Sequence, residues 1–121
     1  MSRIVHFEIP SDNPEESAEF YTKAFGWKIQ RWGEAEYWLA ATGSKEEPGI
    51  DGAIMKRREA QQPFVNYIGV ENIEDAMKNV EENGGETVVE KTTIPAVGHF
   101  AFFKDPDGNI MGLMQNDSNA T

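Results

Sequence analysis

Hydrophobic and polar residues follow one plan along this chain, and the plan occurs twice. Residues 4–9 (I-V-H-F-E-I) alternate as a strand does, and a helix follows with Asn13 as its N-cap and Gly26 at its end. Residues 64–70 (F-V-N-Y-I-G-V) repeat the strand, and a second helix starts at Asn72. Because strand and helix recur at the same spacing, the pattern predicts two similar halves.

Three further strands are predicted after each helix. Their ranges are 27–32, 36–42 and 50–57 in the first half, and 86–94, 99–104 and 109–115 in the second. The order is therefore βαβββ twice, with one helix to cover one face of each four-stranded sheet. We expect one domain over 1–121, with module one at 3–57, a linker at 58–63, module two at 64–115 and a frayed polar tail at 116–121.

Charge and composition exclude several classes of function. The chain has 11 basic and 21 acidic residues, a net charge of −10, so it is repelled by phosphate backbones and anionic lipid. We therefore expect no nucleic-acid and no membrane partner. There are no cysteines, which excludes disulfides and thiolate chemistry. No apolar run has the length of a membrane span and no signal region opens the chain, so a cytoplasmic location is expected.

Three motifs occur along the chain in an order that resembles a known superfamily. They are H-F-E-I-P at 6–10, F-Y-T-K-A-F-G-W at 20–27 and F-K-D-P-D-G-N at 103–109. This order is similar to that of the vicinal oxygen chelate superfamily, which includes glyoxalase I, extradiol dioxygenases, and bleomycin and fosfomycin resistance proteins. The resemblance implies an α+β, glyoxalase-like fold: two tandem βαβββ modules forming a cleft between curved mixed sheets. Family members often form dimers, so a homodimer is expected.

The resemblance also assigns positions to a metal site. In metal-using members each module resembles a half-site, with one ligand from its first strand and one from its last. In this chain those positions hold His6 and Met55 in module one, and Val65 and Gly112 in module two. Only His6 has a suitable donor, because a thioether is a soft ligand and the other two have no donor side chain. The expectation is that the family's metal site is lost and that no cofactor is used.

His6 and Glu8 are the candidate catalytic pair. They lie two positions apart on a predicted strand and therefore share a face, where they could orient a ligand or move a proton. The alternative is that a backbone carbonyl satisfies His6 and that water solvates Glu8. Their counterpart in module two is Tyr67, which either hydrogen-bonds to a ligand or packs with a polar tip.

The remaining candidates are side chains expected to line the cleft. Arg57 either pairs with a ligand carboxylate or is a solvated charge at a strand end. Gly112 is interpreted as leaving room for a ligand at the floor of the cleft. The full set of predicted ligand-binding residues is His6, Glu8, Trp38, Met55, Arg57, Val65, Tyr67, Gly112 and Met114.

Two hypotheses for function follow. The preferred one is a metal-free protein that binds a small, largely apolar molecule in the cleft, as the drug-binding resistance branch does. The alternative is an enzyme: a glyoxalase-type lyase or isomerase similar to lactoylglutathione lyase, or another acid/base enzyme that uses His6 and Glu8. Metal-free glyoxalase chemistry would need another electrophile, because a metal normally polarises the enediolate oxygens.

Overall fold

The computed structural model describes residues 2–121, and the elements follow the predicted order. The first half contains β1 (Ile4–Ser11), α1 (Pro14–Phe25), β2 (Lys28–Arg31), β3 (Tyr37–Ala41) and β4 (Gly52–Lys56). The second half contains β5 (Val65–Gly69), α2 (Ile73–Glu82), β6 (Glu86–Ile94), β7 (Gly98–Lys104) and β8 (Ile110–Asn116). Within residues 2–121, no helix has the length and apolarity needed to cross a membrane.

Both helices begin at the asparagines that the sequence predicts as caps. Asn13 Oδ1 accepts from the backbone N–H of Glu16 at 3.2 Å, and Asn72 Oδ1 accepts in the same way from Asp75 at 2.9 Å. These bonds satisfy amides that the first helical turn leaves without a partner. Gly26 ends α1 with φ 74°, a left-handed conformation that a residue without Cβ adopts at little cost.

The chain forms two compact units, His6–Val65 and residues 2–5 with 66–121. In the first unit the strands lie in the order β2-β3-β4-β1, with β1 and β4 parallel and the other pairs antiparallel. In the second unit the order is β5-β8-β7-β6, with β5 and β8 parallel and the rest antiparallel. Both sets of strands are mixed, as predicted for this α+β fold.

Each helix packs on the strands of its own unit. In the second unit, Ile73 of α2 is fully buried together with Ala101 and Leu113, which lie on β7 and β8. In the first unit, Ser17 of α1 meets Ser11 of β1 with 2.6 Å between the hydroxyl oxygens. Burial of the apolar faces under the helices is the main stabilising contribution within each unit.

The C-terminal tail is ordered, so the expectation of a frayed tail is wrong. Ala120 is 7% exposed, and its carbonyl accepts from the backbone N–H of Ala96 at 2.9 Å. The N–H of Asp117 donates to the carbonyl of Val97 at 2.9 Å, and the Asp117 carboxylate lies 3.4 Å from Nε2 of His99. The polar composition of the tail did not reveal these contacts, because they join it to the distant β6–β7 turn.

Candidate functional site

Strand pairing brings the predicted acid/base residues to one face of the first unit's sheet. Pro10 of β1 and Tyr37 of β3 both pair with Met55 of β4. Paired residues point to the same face, and side chains alternate along a strand. His6 and Glu8 therefore lie on the same face as Tyr37 and Met55, as the sequence predicted for His6 and Glu8.

The opposite face of this sheet carries α1. Ser11, which alternation places on that face, contacts Ser17 of the helix. Phe7 also points there, and its ring lies 5.9 Å from that of Trp27, which stacks on Tyr21 of α1. We call the sheet face opposite α1, with His6, Glu8, Tyr37 and Met55, the His6 face.

Three polar side chains on the His6 face are hydrogen-bonded in series. Nε2 of His6 lies 2.7 Å from the hydroxyl oxygen of Tyr37. The Tyr37 hydroxyl donates to Oε2 of Glu8 at 2.6 Å, a length typical of a hydroxyl donating to a charged carboxylate. Tyr37 thus bridges two residues that lie on the same strand, which the sequence analysis did not predict.

Burial dominates the electrostatics of this series. It lowers the pKa of His6 below the ordinary value of a histidine, although the nearby charges of Glu8 and Asp51 act in the opposite direction. Burial also raises the pKa of Tyr37 far above its ordinary value, and the charge and hydrogen bond of Glu8 raise it further. At neutral pH the imidazole is therefore neutral and the phenol keeps its proton.

Apolar side chains lie beside this polar series. The ring of Trp32 is edge-on to Tyr37 at a centroid distance of 6.0 Å and is 44% exposed. Leu39, two positions after Tyr37 on β3, shares its face and is 43% exposed. Met55 is 7% exposed, and its sulfur accepts from Nε2 of Gln62 at 3.6 Å. Together they form a surface on which a small apolar body could pack against a polar centre.

Two other predicted residues of the first unit have different surroundings. Trp38 lies on the opposite face from Tyr37 and is 8% exposed, with the guanidinium of Arg31 4.9 Å above its ring. Arg57 donates to the Asp12 carboxylate at 3.0 Å and to the carbonyls of Pro10 and Gln62 at 3.3 Å. Trp38 is thus part of the helix-side packing, and Arg57 fastens the end of β1 to the segment after β4.

The predicted residues of the second unit share a face of its sheet. Tyr67 pairs with Gly112, Gly69 pairs with Met114, and Phe102 pairs with Gly112 from the other side. A Cβ added at Gly112 would lie 2.5 Å from the Tyr67 ring. The expectation that Gly112 leaves room for a ligand is therefore wrong at this point, because the Tyr67 ring occupies that space.

The four positions that the resemblance assigns to a metal site hold an imidazole, a thioether and two residues without a donor side chain. The one imidazole, His6, has Nε2 within hydrogen-bond distance of Tyr37, and the Met55 thioether is a soft ligand that accepts from Gln62. Val65, which is 7% exposed, and Gly112 provide no donor side chain. In the part of the chain that the structure describes, no group of three or more His, Cys, Asp or Glu side chains is placed to hold a metal.

Sequence reasoning missed Tyr37 and Asp51. Neither residue is in the set of ligand-binding residues predicted from the sequence. The role of Tyr37 depends on the pairing of β3 with β4, which the sequence pattern does not give. Asp51 precedes β4, and its Oδ1 accepts from the backbone N–H of Thr42 at 2.9 Å. The sequence signal that could have found Tyr37 is the alternation of β3. Tyr37, Leu39 and Ala41 share one face of that strand, so the phenol of Tyr37 can reach polar side chains on the same face of the sheet.

Comparison with known proteins identifies the family. Residues 3–113 match the model of the Glyoxalase/Bleomycin resistance protein/Dioxygenase superfamily. The chain belongs to this superfamily. Among its relatives within this glyoxalase superfamily, a glyoxylase-like domain-containing protein from Didymella fabae is 29% identical over 117 residues, covering 92% of this chain and 91% of the relative. A probable lactoylglutathione lyase from Vibrio cholerae is 30% identical over 129 residues, covering 94% of this chain and 91% of the relative.

Solved structures agree with the glyoxalase-like fold. A hypothetical protein from Bacillus halodurans superposes with a TM-score of 0.71 at 16% identity, covering 99% of this chain and 98% of that protein. At this identity the likeness concerns the fold alone. Since one fold hosts many chemistries, the function has to be argued from the His6 face.

Proposed function

We propose that this glyoxalase-superfamily protein binds a small, largely apolar molecule on the His6 face without the help of a metal ion. The observation that carries the proposal is the series His6–Tyr37–Glu8, in which the one imidazole at a family ligand position is hydrogen-bonded to a phenol. The exposed side chains of Trp32 and Leu39 supply apolar surface beside this polar centre. A few placed polar groups within an apolar surround are the usual composition of a small-molecule site.

Charge on the His6 face favours a neutral or cationic ligand over an anionic one. Glu8 and Asp51 both act electrostatically on His6, whose ring is neutral at neutral pH. Of the arginines in this unit, Arg31 stacks over Trp38 on the other face, and the charge of Arg57 is offset by the Asp12 carboxylate. The net charge of −10 adds a long-range repulsion of anions.

Binding of two probes to metal-stripped protein tests the proposal. We expect Nile red, which is neutral and apolar, and rhodamine 6G, which is an apolar aromatic cation, to bind after EDTA treatment with affinities that added Zn²⁺ or Ni²⁺ does not change. Trp32→Ala should weaken binding, because it removes exposed aromatic surface next to Tyr37. Phe25→Ala is the matched control, since Phe25 is 67% exposed but lies on α1. Binding that needs added metal, or that falls only in the control, would overturn the proposal.

A second candidate function is a glyoxalase-type lyase or another acid/base enzyme that uses His6 and Glu8. The 30% identical relative named as a probable lactoylglutathione lyase supports it. The test follows thioester formation from methylglyoxal and glutathione, with and without Ni²⁺ or Zn²⁺, in wild type and His6→Ala. Turnover that His6→Ala abolishes would place the enzyme hypothesis first, whereas no turnover under any condition would leave the binding proposal.

We also propose a homodimer. Phe20 and Phe25 of α1 are 57% and 67% exposed, and Phe64 is 55% exposed, which is a large amount of apolar surface for a chain of this size. Native mass spectrometry at micromolar concentration should give twice the chain mass of 13.6 kDa. A monomer at all concentrations would contradict this proposal without affecting the one for ligand binding.

A further inference from the structure

The direction of each hydrogen bond in the His6–Tyr37–Glu8 series follows from the chemistry of its members. An ionised carboxylate only accepts, so Tyr37 donates its single hydroxyl proton to Glu8. The phenolic oxygen then has only lone pairs to offer to His6. Nε2 of His6 must therefore carry the ring's proton, and Nδ1 is the acceptor nitrogen of the neutral imidazole. In this series Tyr37 lies between Glu8 and His6. By accepting the Tyr37 proton, Glu8 favours the tautomer of His6 that carries its proton on Nε2.

The two hydrogen bonds are short enough for protons to move without movement of the heavy atoms. The gaps are 2.7 Å from His6 to Tyr37 and 2.6 Å from Tyr37 to Glu8. Burial and the Glu8 charge keep the phenol from ionising by itself. Any transfer through Tyr37 must therefore give it one proton as it loses another.

We propose that Tyr37 is a positioning residue that relays protons between His6 and Glu8, so that the three side chains form one acid/base unit. When a proton binds Nδ1 of His6, the Nε2–H bond breaks and its proton forms an O–H bond on Tyr37. At the same time the original phenolic O–H bond breaks and its proton binds Glu8. The ring ends neutral with its proton on Nδ1, the phenol keeps one proton, Glu8 becomes a carboxylic acid, and the reverse transfer restores the starting state.

The relay gives the His6 face a place to store one proton from a ligand. An acid/base unit of this kind suits a ligand with a weakly acidic proton, such as one on carbon next to a carbonyl. Asp51, the other carboxylate that acts on His6, is held by the backbone N–H of Thr42. This inference concerns the face on which the proposed function rests, but its test needs no ligand.

Nitrogen NMR of the two histidines tests which ring nitrogen carries the proton. In wild type we expect the proton of His6 on Nε2. Glu8→Leu frees the Tyr37 proton to donate to Nε2, so the protonated nitrogen should switch to Nδ1. The double variant Glu8→Leu with Tyr37→Phe should not switch, because the Tyr37 hydroxyl, which would donate to Nε2, is absent. Tyr21→Phe is the matched control on the helix side, and the signals of His99 report whether the fold is intact.

The same tautomer in wild type and Glu8→Leu, or the same switch in the double variant, would overturn the relay. If Glu8→Leu does not fold, a titration of Tyr37→Phe replaces it. In wild type, the ring nitrogens of His6 and the carboxyl carbon of Glu8 should change together over one pH range, whereas in Tyr37→Phe they should change separately. Separate changes in both proteins would contradict the relay. A coupled titration without binding of either probe would reject the proposed function and keep the relay.

Discussion

A buried imidazole beside two carboxylates is subject to opposing effects, and at His6 burial is the larger. Its pKa in the folded protein is therefore below that in the unfolded chain, which is about 6.5. As the pH falls through that value, the unfolded chain binds a proton that the folded protein does not. Protonation consequently favours unfolding, and this loss of stability ends only below the folded-state pKa.

The corresponding prediction concerns His6→Gln. Between about pH 7 and pH 5, the free energy of unfolding of wild type should fall more steeply than that of the variant, which lacks this titration. Urea denaturation at several pH values measures both slopes. His99 is present in both proteins and cancels in the comparison. Equal slopes, or a steeper slope for the variant, would contradict the sign derived for His6.

Gly112 has a packing role that a second substitution can isolate. Gly112→Ala would place a methyl group 2.5 Å from the Tyr67 ring, so the ring or the strand must shift. Overpacking of this kind costs about 1–3 kcal/mol of stability. The cost should largely disappear when Tyr67→Ala is already present, because the space is then empty. Chemical denaturation of the four proteins in this cycle measures the coupling; an equal cost in both backgrounds would rule out the contact as its cause.

The residue-scale predictions succeeded where strand alternation alone decides and failed where strand pairing decides. His6 and Glu8 share a face because they lie two positions apart on one strand, and the sequence shows that directly. Trp38 was grouped with them, although the pairing of β3 with β4 places it on the opposite face. Tyr37 is absent from the predicted set for the same reason, since no local sequence feature indicates which residue of β3 pairs with Met55.

At the scale of elements, agreement with the sequence is closest where the signals are local. Asn13, Asn72 and Gly26 act as caps within one helical turn, so the helix bounds follow from the sequence. The tail was misjudged because its partners are distant: Ala120 bonds to Ala96, on the β6–β7 turn. Ala96 has φ 64°, unusual for a residue with a Cβ, and alanine gives no sequence signal for such a turn.

The turn between β7 and β8 depends on one carboxylate. Asp105 accepts from the backbone N–H groups of Asp107 and Asn109, and from the Asn109 side chain, each at 2.9 Å. The side-chain bond from Asn109 contributes most to lowering the pKa of Asp105, and the backbone bonds lower it further. Since the folded-state pKa is below the unfolded one, this stabilisation is present above the unfolded value and is lost as the pH falls through the folded value.

Asp105→Ala should therefore loosen the turn at neutral pH and make little difference in strong acid. Hydrogen exchange of the amides of Asp107 and Asn109 should become faster in the variant, because both lose their acceptor. Asp107→Ala serves as the control, since the Asp107 carboxylate accepts no hydrogen bond from the residues that the structure describes. Unchanged exchange in Asp105→Ala, or equal effects in both variants, would show that the carboxylate does not hold the turn.

At the scale of the whole molecule, unbalanced charge is the most general property of the chain. It has 21 acidic and 11 basic residues, so the acidic side chains exceed the basic ones by ten. Two of the ion pairs are exposed: Glu19 and Lys23 on α1 are 69% and 75% exposed, and Glu74 beside Lys91 is 71% exposed. Exposed pairs contribute about 0–1 kcal/mol each, so repulsion among the surplus carboxylates is the larger effect.

Screening that repulsion should stabilise the protein. Raising NaCl from about 0.01 M to about 0.5 M shortens the Debye length several-fold, which weakens repulsion over the surface more than it weakens the few short pairs. The free energy of unfolding, measured in urea because it is uncharged, should therefore rise with salt. Replacing the exposed Glu15, Glu34 and Glu46 by Gln removes three negative charges and should reduce the gain. If salt raises the free energy of unfolding of this variant by the same amount, the effect comes from the general action of salt on apolar surface. If salt lowers the free energy of unfolding of wild type, the ion pairs outweigh the repulsion.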